Sequence, residues 1–165
     1  MIFSISVVSL HIETTLFLLI DMNTVNHYTD FANAEKYAKD YHAIISLGHY
    51  LHEQYREGKQ YLFLDFHDET FGSVAANQSN LKYAPTEDHV RKIISFIRSL
   101  SPTDKLLVHC FAGYSRSPAA VLIAKCERDG KTFHEAKEEL KDARIPDKLV
   151  PEPNDIMLHN YLMIK

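Results

Sequence analysis

The sequence predicts an α/β domain: a single unit with a central, mostly parallel, twisted sheet of four to five strands flanked by helices on both faces. Three observations carry that expectation. Short runs rich in β-branched and aromatic residues alternate with segments of helical periodicity, the pattern of strand, crossover helix and strand. The runs HAIISL and LLVH are apolar almost throughout, as strands covered on both faces are. A chain of 165 residues, 45% hydrophobic and 24% charged, suits one core of ordinary size, so 1–165 reads as one domain.

The elements follow in order. The opening MIFSISVVSLHIETTLFLLI is apolar enough to raise the question of a leader or a membrane span. No lysine or arginine precedes Lys36, however, and His11 and Glu13 interrupt the run, so two buried strands are expected instead, about Ile2 to Leu10 and Thr15 to Asp21. Asp30 can cap a helix to about Asp40, because Phe31, Ala34, Ala38 and Tyr41 share a face. The strand HAIISLG ends at Gly48. After a polar segment, YLFLDFHDE carries a strand into a stretch expected to stay irregular from about Asp68 to Tyr83, where Gly72, Asn77, Ser79 and Asn80 discourage regular structure.

Pro85 and Thr86 open a helix with the buried stripe Val90, Ile93, Ile94, Ile97 and Leu100. Lys105 to His109 is a short strand, and Pro118 to Glu127 an apolar helix ending near Gly130. Thr132 and Glu135 form a capping box for a helix to about Ala143. Pro151, Pro153 and Asn154 then break the chain before a last helix, Asp155 to Met163. No repeat, low-complexity segment or long linker divides the chain.

The chemistry concentrates in LLVHCFAGYSRSPAAVLIAKCERDG, which reads as strand, loop and helix. Cys110 stands at the strand's end and Arg116 in the first helical turn. Backbone N–H groups of Phe111, Ala112, Gly113, Tyr114, Ser115 and Arg116 are expected to curl inward as a nest, with the following helix directing its positive end at the same point. Such a concavity suits a tetrahedral dianion. Arg116 adds a two-pronged guanidinium fork for phosphate oxygens, and the same positive field stabilises a cysteine thiolate as nucleophile. Gly113 lets the backbone approach the ligand.

His109, Cys110, Arg116 and Ser117 resemble the HCxxxxxR signature, followed by serine or threonine, of the cysteine-dependent protein tyrosine phosphatases. HCFAGYSRSP looks most like the dual-specificity branch. The resemblance spans about 29–162, leaving 1–28 as N-terminal strands outside it. It implies a phosphatase-like fold and hydrolysis of phosphotyrosine, and of phosphoserine or phosphothreonine, through a phosphocysteine. It also implies a general-acid aspartate on a separate loop. Asp65 and Asp68 are the candidates; Asp65 is expected within the strand and Asp68 at its exit, which favours Asp68. Residues 69–83 read as an insertion that lengthens the family's spacing between acid and cysteine. The resemblance further gives His109 a role in settling the cysteine, Ser117 one in steadying the departing thiolate, and Pro153 and Asn154 the start of the family's last helix.

No metal or other cofactor is expected: the histidines at 67, 89, 134 and 159 have no paired ligand spacing. The resemblance implies a phosphorylated protein as partner, since its lipid-directed members tend to carry lysines in the loop and FAGYS holds none. A net charge of −4 without basic clusters argues against nucleic acid and against a membrane anchor. Two cysteines placed for chemistry and core rather than pairing suggest a reducing, cytoplasmic setting, with Cys126 a core thiol. Two alternatives stand beside the phosphoprotein phosphatase: an inactive phosphate-binding module, and a phosphoinositide or RNA 5′-phosphate phosphatase of the same fold.

Overall fold

Four short strands pair side by side and all run parallel: β1 (Asn26–Thr29), β2 (Ala43–Leu47), β3 (Gln60–Leu64) and β4 (Leu106–His109), in the spatial order β1-β4-β2-β3. The computed structural model describes residues 26–147 and 149–165; the two strands expected before Asp21 lie outside the described residues. The pairing registers set Thr29 and Ser46 on either side of His109, and Leu64 beside Leu47. Every strand therefore delivers its C-terminal end to one edge, where a parallel sheet builds its sites.

The helices are α1 (Phe31–Tyr37, continued as a 3₁₀ turn over Ala38–Asp40), α2 (Glu53–Arg56), α3 (Phe71–Ala76), α4 (Glu87–Ser99), α5 (Arg116–Arg128), α6 (Phe133–Glu138), α7 (Leu140–Ala143) and α8 (Asp155–Ile164). Side chains alternate across the sheet and divide the interior in two. Ala43, Ile45, Leu47, Leu106 and Val108 join α4, α5 and α8 in the larger core, whereas Ile44 and Leu107 meet Ala34, Ala38, Tyr41 and Leu51 on the opposite face. Covered on both faces, β2 and β4 are buried at every position, which is why their sequences show no alternation. Helix α5 is buried from Arg116 through Lys125 and needs no polar stripe. By contrast α4 is amphipathic, with Val90, Ile93, Ile94 and Ile97 inward, as its periodicity predicts.

Several expectations change. Strand β3 stops at Leu64, so Asp65 lies just outside it rather than within it. The stretch expected to be irregular is mostly ordered: Thr70 and Ser73 make a reciprocal cap that starts α3, and a 3₁₀ turn spans Gln78–Tyr83. Serine in place of the usual glutamate or glutamine hid that capping box. The Thr132–Glu135 cap is present, but its helix breaks into α6 and α7. Helix α5 begins at Arg116, two residues before the expected start, and α8 runs one residue past Met163.

Candidate active site

The loop from Cys110 to Ser115 is held by its carbonyl groups. Phe31 N–H donates to Phe111 O at 3.0 Å, Glu152 N–H to Tyr114 O at 3.1 Å and Asn154 N–H to Ser115 O at 3.0 Å. The Arg144 guanidinium donates to Gly113 O. Planar trans peptides point C=O and the next N–H in opposite directions. Four carbonyls drawn outward thus turn the N–H groups of Ala112, Tyr114, Ser115 and Arg116 inward. Gly113 is where this winding demands glycine: its φ is +62°, and a Cβ would stand 2.6 Å from Arg144 Nη1 and from the backbone of Thr29 and Asp30.

At the floor lies Cys110, only 1% exposed, with its sulfur 3.3 Å from Ser117 Oγ. Arg116 is 7% exposed; its Nη1 donates to Phe66 O at 2.9 Å, while its buried Nε has no hydrogen-bond partner. Unpaired buried donors are rare in folded proteins and call for a chemical reason. Asp68 Oδ2 is 3.9 Å from that Nε. Asp68 Oδ1 accepts from Ser115 Oγ at 2.6 Å and from Asn154 Nδ2 at 3.0 Å. Ser115 occupies the N-cap of α5 without capping it, so the first-turn amides stay directed at the loop.

His109 is fully buried, with Nε2 2.5 Å from Ser46 Oγ. Burial, then the nearby His49, push its pKa down to about 4, which keeps the imidazole neutral. The structure thus ties His109 to the neighbouring strand through Ser46, beside its place next to Cys110 in the chain. Asp65 is exposed, and its charge acts on His49 and His89. Cys126 sits apart, half-buried against the core, and burial raises its thiol pKa.

Among the described residues, no group of three or more histidine, cysteine, aspartate or glutamate side chains is arranged to hold a metal ion, and no helix is long and apolar enough to cross a membrane.

Solved structures of several phosphatases share this arrangement of sheet and helices. Human DUSP28 matches at TM-score 0.58 and 17% identity, over 81% of this chain and 84% of its own. The Yvh1 phosphatase domain from Chaetomium thermophilum matches at 0.57 and 20%, over 82% and 87%. Tk-PTP in its active form matches at 0.56 and 18%, over 81% and 84%. The chain has the fold of the tyrosine and dual-specificity phosphatases. No protein-family model and no curated protein matches the sequence.

Within this phosphatase fold, two residues complete the site that the sequence reading used only as punctuation. Gly48, taken as the end of a strand, has φ +75°, and a Cβ there would lie 2.1 Å from Arg116 Nη1; its bare backbone is the space the guanidinium fills. Asn154, taken as a helix start, accepts from Met157 N–H to cap α8 and donates to both Asp68 Oδ1 and Glu69 O. Arg144 was not singled out at all. It is buried against the cysteine loop, 2.5 Å from Asp147 Oδ1 and 3.8 Å from Asp30 Oδ2. The available signals were a glycine closing an apolar strand and an asparagine between proline and a helix; nothing local marks the arginine.

Proposed function

We propose that the protein is a phosphoprotein phosphatase that hydrolyses phosphotyrosine, and phosphoserine or phosphothreonine, through a phosphocysteine. One observation carries the reading. A buried cysteine, the N-terminus of α5 and a buried arginine with a free donor converge on one point, with a carboxylate 3.9 Å from that donor.

Cys110 thiolate attacks phosphorus in line. The S–P bond forms as the P–O ester bond breaks, and Asp68 gives its proton to the leaving oxygen. Arg116 and the inward amides hold the equatorial oxygens, where charge develops. Water then attacks the phosphocysteine. Asp68 takes a proton from that water, the S–P bond breaks, and inorganic phosphate leaves with the thiolate restored. Ser117 Oγ, 3.3 Å from the sulfur, donates to the departing thiolate. Asp68 is assigned the acid because Ser115 and Asn154 tie it to the cysteine loop, whereas among the described residues Asp65 makes no such hydrogen bond to the loop. A cytoplasmic setting belongs to the same reading, since a nucleophilic thiol requires reducing conditions.

The test is metal-free hydrolysis of para-nitrophenyl phosphate by the wild type and four variants. Cys110→Ser and Arg116→Ala should abolish turnover. Asp68→Ala should remove the acidic-group dependence from the pH profile, and Asp65→Ala should retain it. Full activity in Cys110→Ser would sink the mechanism. A second reading, a phosphate-binding module without turnover, is favoured by one comparison. A human tyrosine phosphatase-like serine/threonine/tyrosine-interacting protein matches at TM-score 0.54 and 21% identity, over 81% of each chain. Tight phosphopeptide binding by a wild type that hydrolyses nothing would select it.

A further inference from the structure

Three rings stand in a row beside the cysteine loop, and the phosphoryl-transfer chemistry makes no use of them. His49 is in the middle, its ring centroid 5.6 Å from that of Phe31 and 4.9 Å from that of Phe111. They come from three different strand ends. Phe31 opens α1 after β1, His49 follows β2 and Gly48, and Phe111 follows Cys110 after β4. The common C-terminal edge of a parallel sheet brings together what the sequence separates.

The row is fixed to the reacting centre at two points. Phe31 donates its N–H to Phe111 O and its ring lies 5.8 Å from that of His109. At the other side, the residue preceding His49 is the glycine that makes room for the Arg116 guanidinium. Burial and the Arg116 charge both lower the His49 pKa, so its ring is neutral and packs as an aromatic face. Yet Phe111 is 62% exposed. Packed against His49 beside the nucleophile, that open ring offers a face a ligand can meet.

We propose that Phe31, His49 and Phe111 form an aryl-binding wall that makes the site prefer phosphotyrosine over phosphoserine and phosphothreonine. This rests on the phosphatase reading and narrows its substrate class. In phosphotyrosine the aromatic ring follows directly on the ester oxygen. A phosphate seated over Cys110 therefore carries that ring past the side chain next to the cysteine. Phosphoserine and phosphothreonine bring only a short aliphatic link and offer no face to stack. Aromatic pairs favour offset or edge-to-face contacts with centroids about 4.5–7 Å apart, the kind of spacing the three rings already keep among themselves. Such a contact is worth roughly two- to tenfold in affinity.

The experiment compares two peptides of one sequence, carrying phosphotyrosine or phosphoserine at the same position, by fluorescence anisotropy with the full chain as Cys110→Ser. The wall predicts tighter binding of the phosphotyrosine peptide. Phe111→Ala, His49→Ala and Phe31→Ala, each added to that background, should shrink the ratio of the two affinities by roughly two- to tenfold, and Phe111→Tyr should preserve it. Phe31→Ala keeps the backbone hydrogen bond to Phe111 and so reports on the ring alone. A ratio unchanged in all three alanine variants, or no preference at the outset, overturns the wall. Turnover by the wild type is scored separately: no hydrolysis with an intact binding ratio refutes the phosphatase and keeps the wall, whereas hydrolysis with no ratio does the reverse.

Discussion

Replacing Gly48 by alanine should cost activity that a matched alanine at another left-handed glycine does not. Its φ of +75° is left-handed, where a residue with a Cβ costs about 1–2 kcal/mol. The added carbon would lie 2.1 Å from Arg116 Nη1 and 2.9 Å from Phe66 O. Carbon and nitrogen rest at about 3.5 Å without bonding, so the guanidinium has to retreat by more than ~1 Å. That displacement breaks its 2.9 Å bond to Phe66 O. Losing one well-placed donor to a developing charge costs about 2.7–4 kcal/mol, or roughly 100- to 1000-fold in kcat. Gly58→Ala is the control: its φ is +69°, and nothing lies within 4 Å of the added carbon. In urea unfolding Gly48→Ala should lose more stability than Gly58→Ala, by about 1–3 kcal/mol for the broken buried bond, and only Gly48→Ala should lose kcat toward para-nitrophenyl phosphate. Equal kcat in the two variants would refute the placement of Arg116 at the reacting phosphate.

Three further outcomes are expected. Asn154→Ala removes a helix cap together with the bonds to Asp68 and Glu69, so it should destabilise by about 1–2 kcal/mol and slow an alkyl phosphate more than a nitrophenyl phosphate, whose better leaving group depends less on the acid. For His109, the folded pKa of about 4 lies below the unfolded 6.5, so the unfolded chain takes up a proton that the folded one refuses. Its contribution is present above pH 6.5 and lost as pH falls toward 4, by about 3 kcal/mol in all, and urea unfolding of His109→Gln should lack that part of the slope. Cys126→Ala should cost about 1 kcal/mol and leave kcat unchanged, because the thiol packs half-buried against the core; a turnover loss matching that of Cys110→Ser would contradict the separation of the two cysteines.

Strands β2, β3 and β4 and the long helices were legible because each rests on nearest neighbours, whereas β1 over NHYT was not expected. The apolar run before Cys110, the Thr86 cap and the stripe from Val90 to Ile97 act through local geometry, and each element formed where its pattern lay. The stretch after Asp68 was misread for a local reason as well: serine at the third helical position closes the Thr70 cap as glutamate does elsewhere. The break between α6 and α7 has no such signal, since Thr132 to Ala143 reads as one continuous helix.

By itself the sequence determined the parallel α/β sheet, the strand–loop–helix around Cys110 and Arg116, and two aspartates as candidate acids. The sheet and the loop follow from hydrophobic period, turn residues and spacing within about ten positions, and the two aspartates from what the family resemblance implies. Only the tertiary structure decided which groups meet across the chain. Asp68 reaches Ser115 and Asn154 across 47 and 86 positions, and Arg144 reaches Gly113 across 31. Gly48 lies against Arg116, and Phe31 and His49 line up with Phe111. The physical reason is the strand order: β4 lies between β1 and β2, so their C-terminal ends converge on one edge, and pairing between distant strands leaves no local trace in sequence.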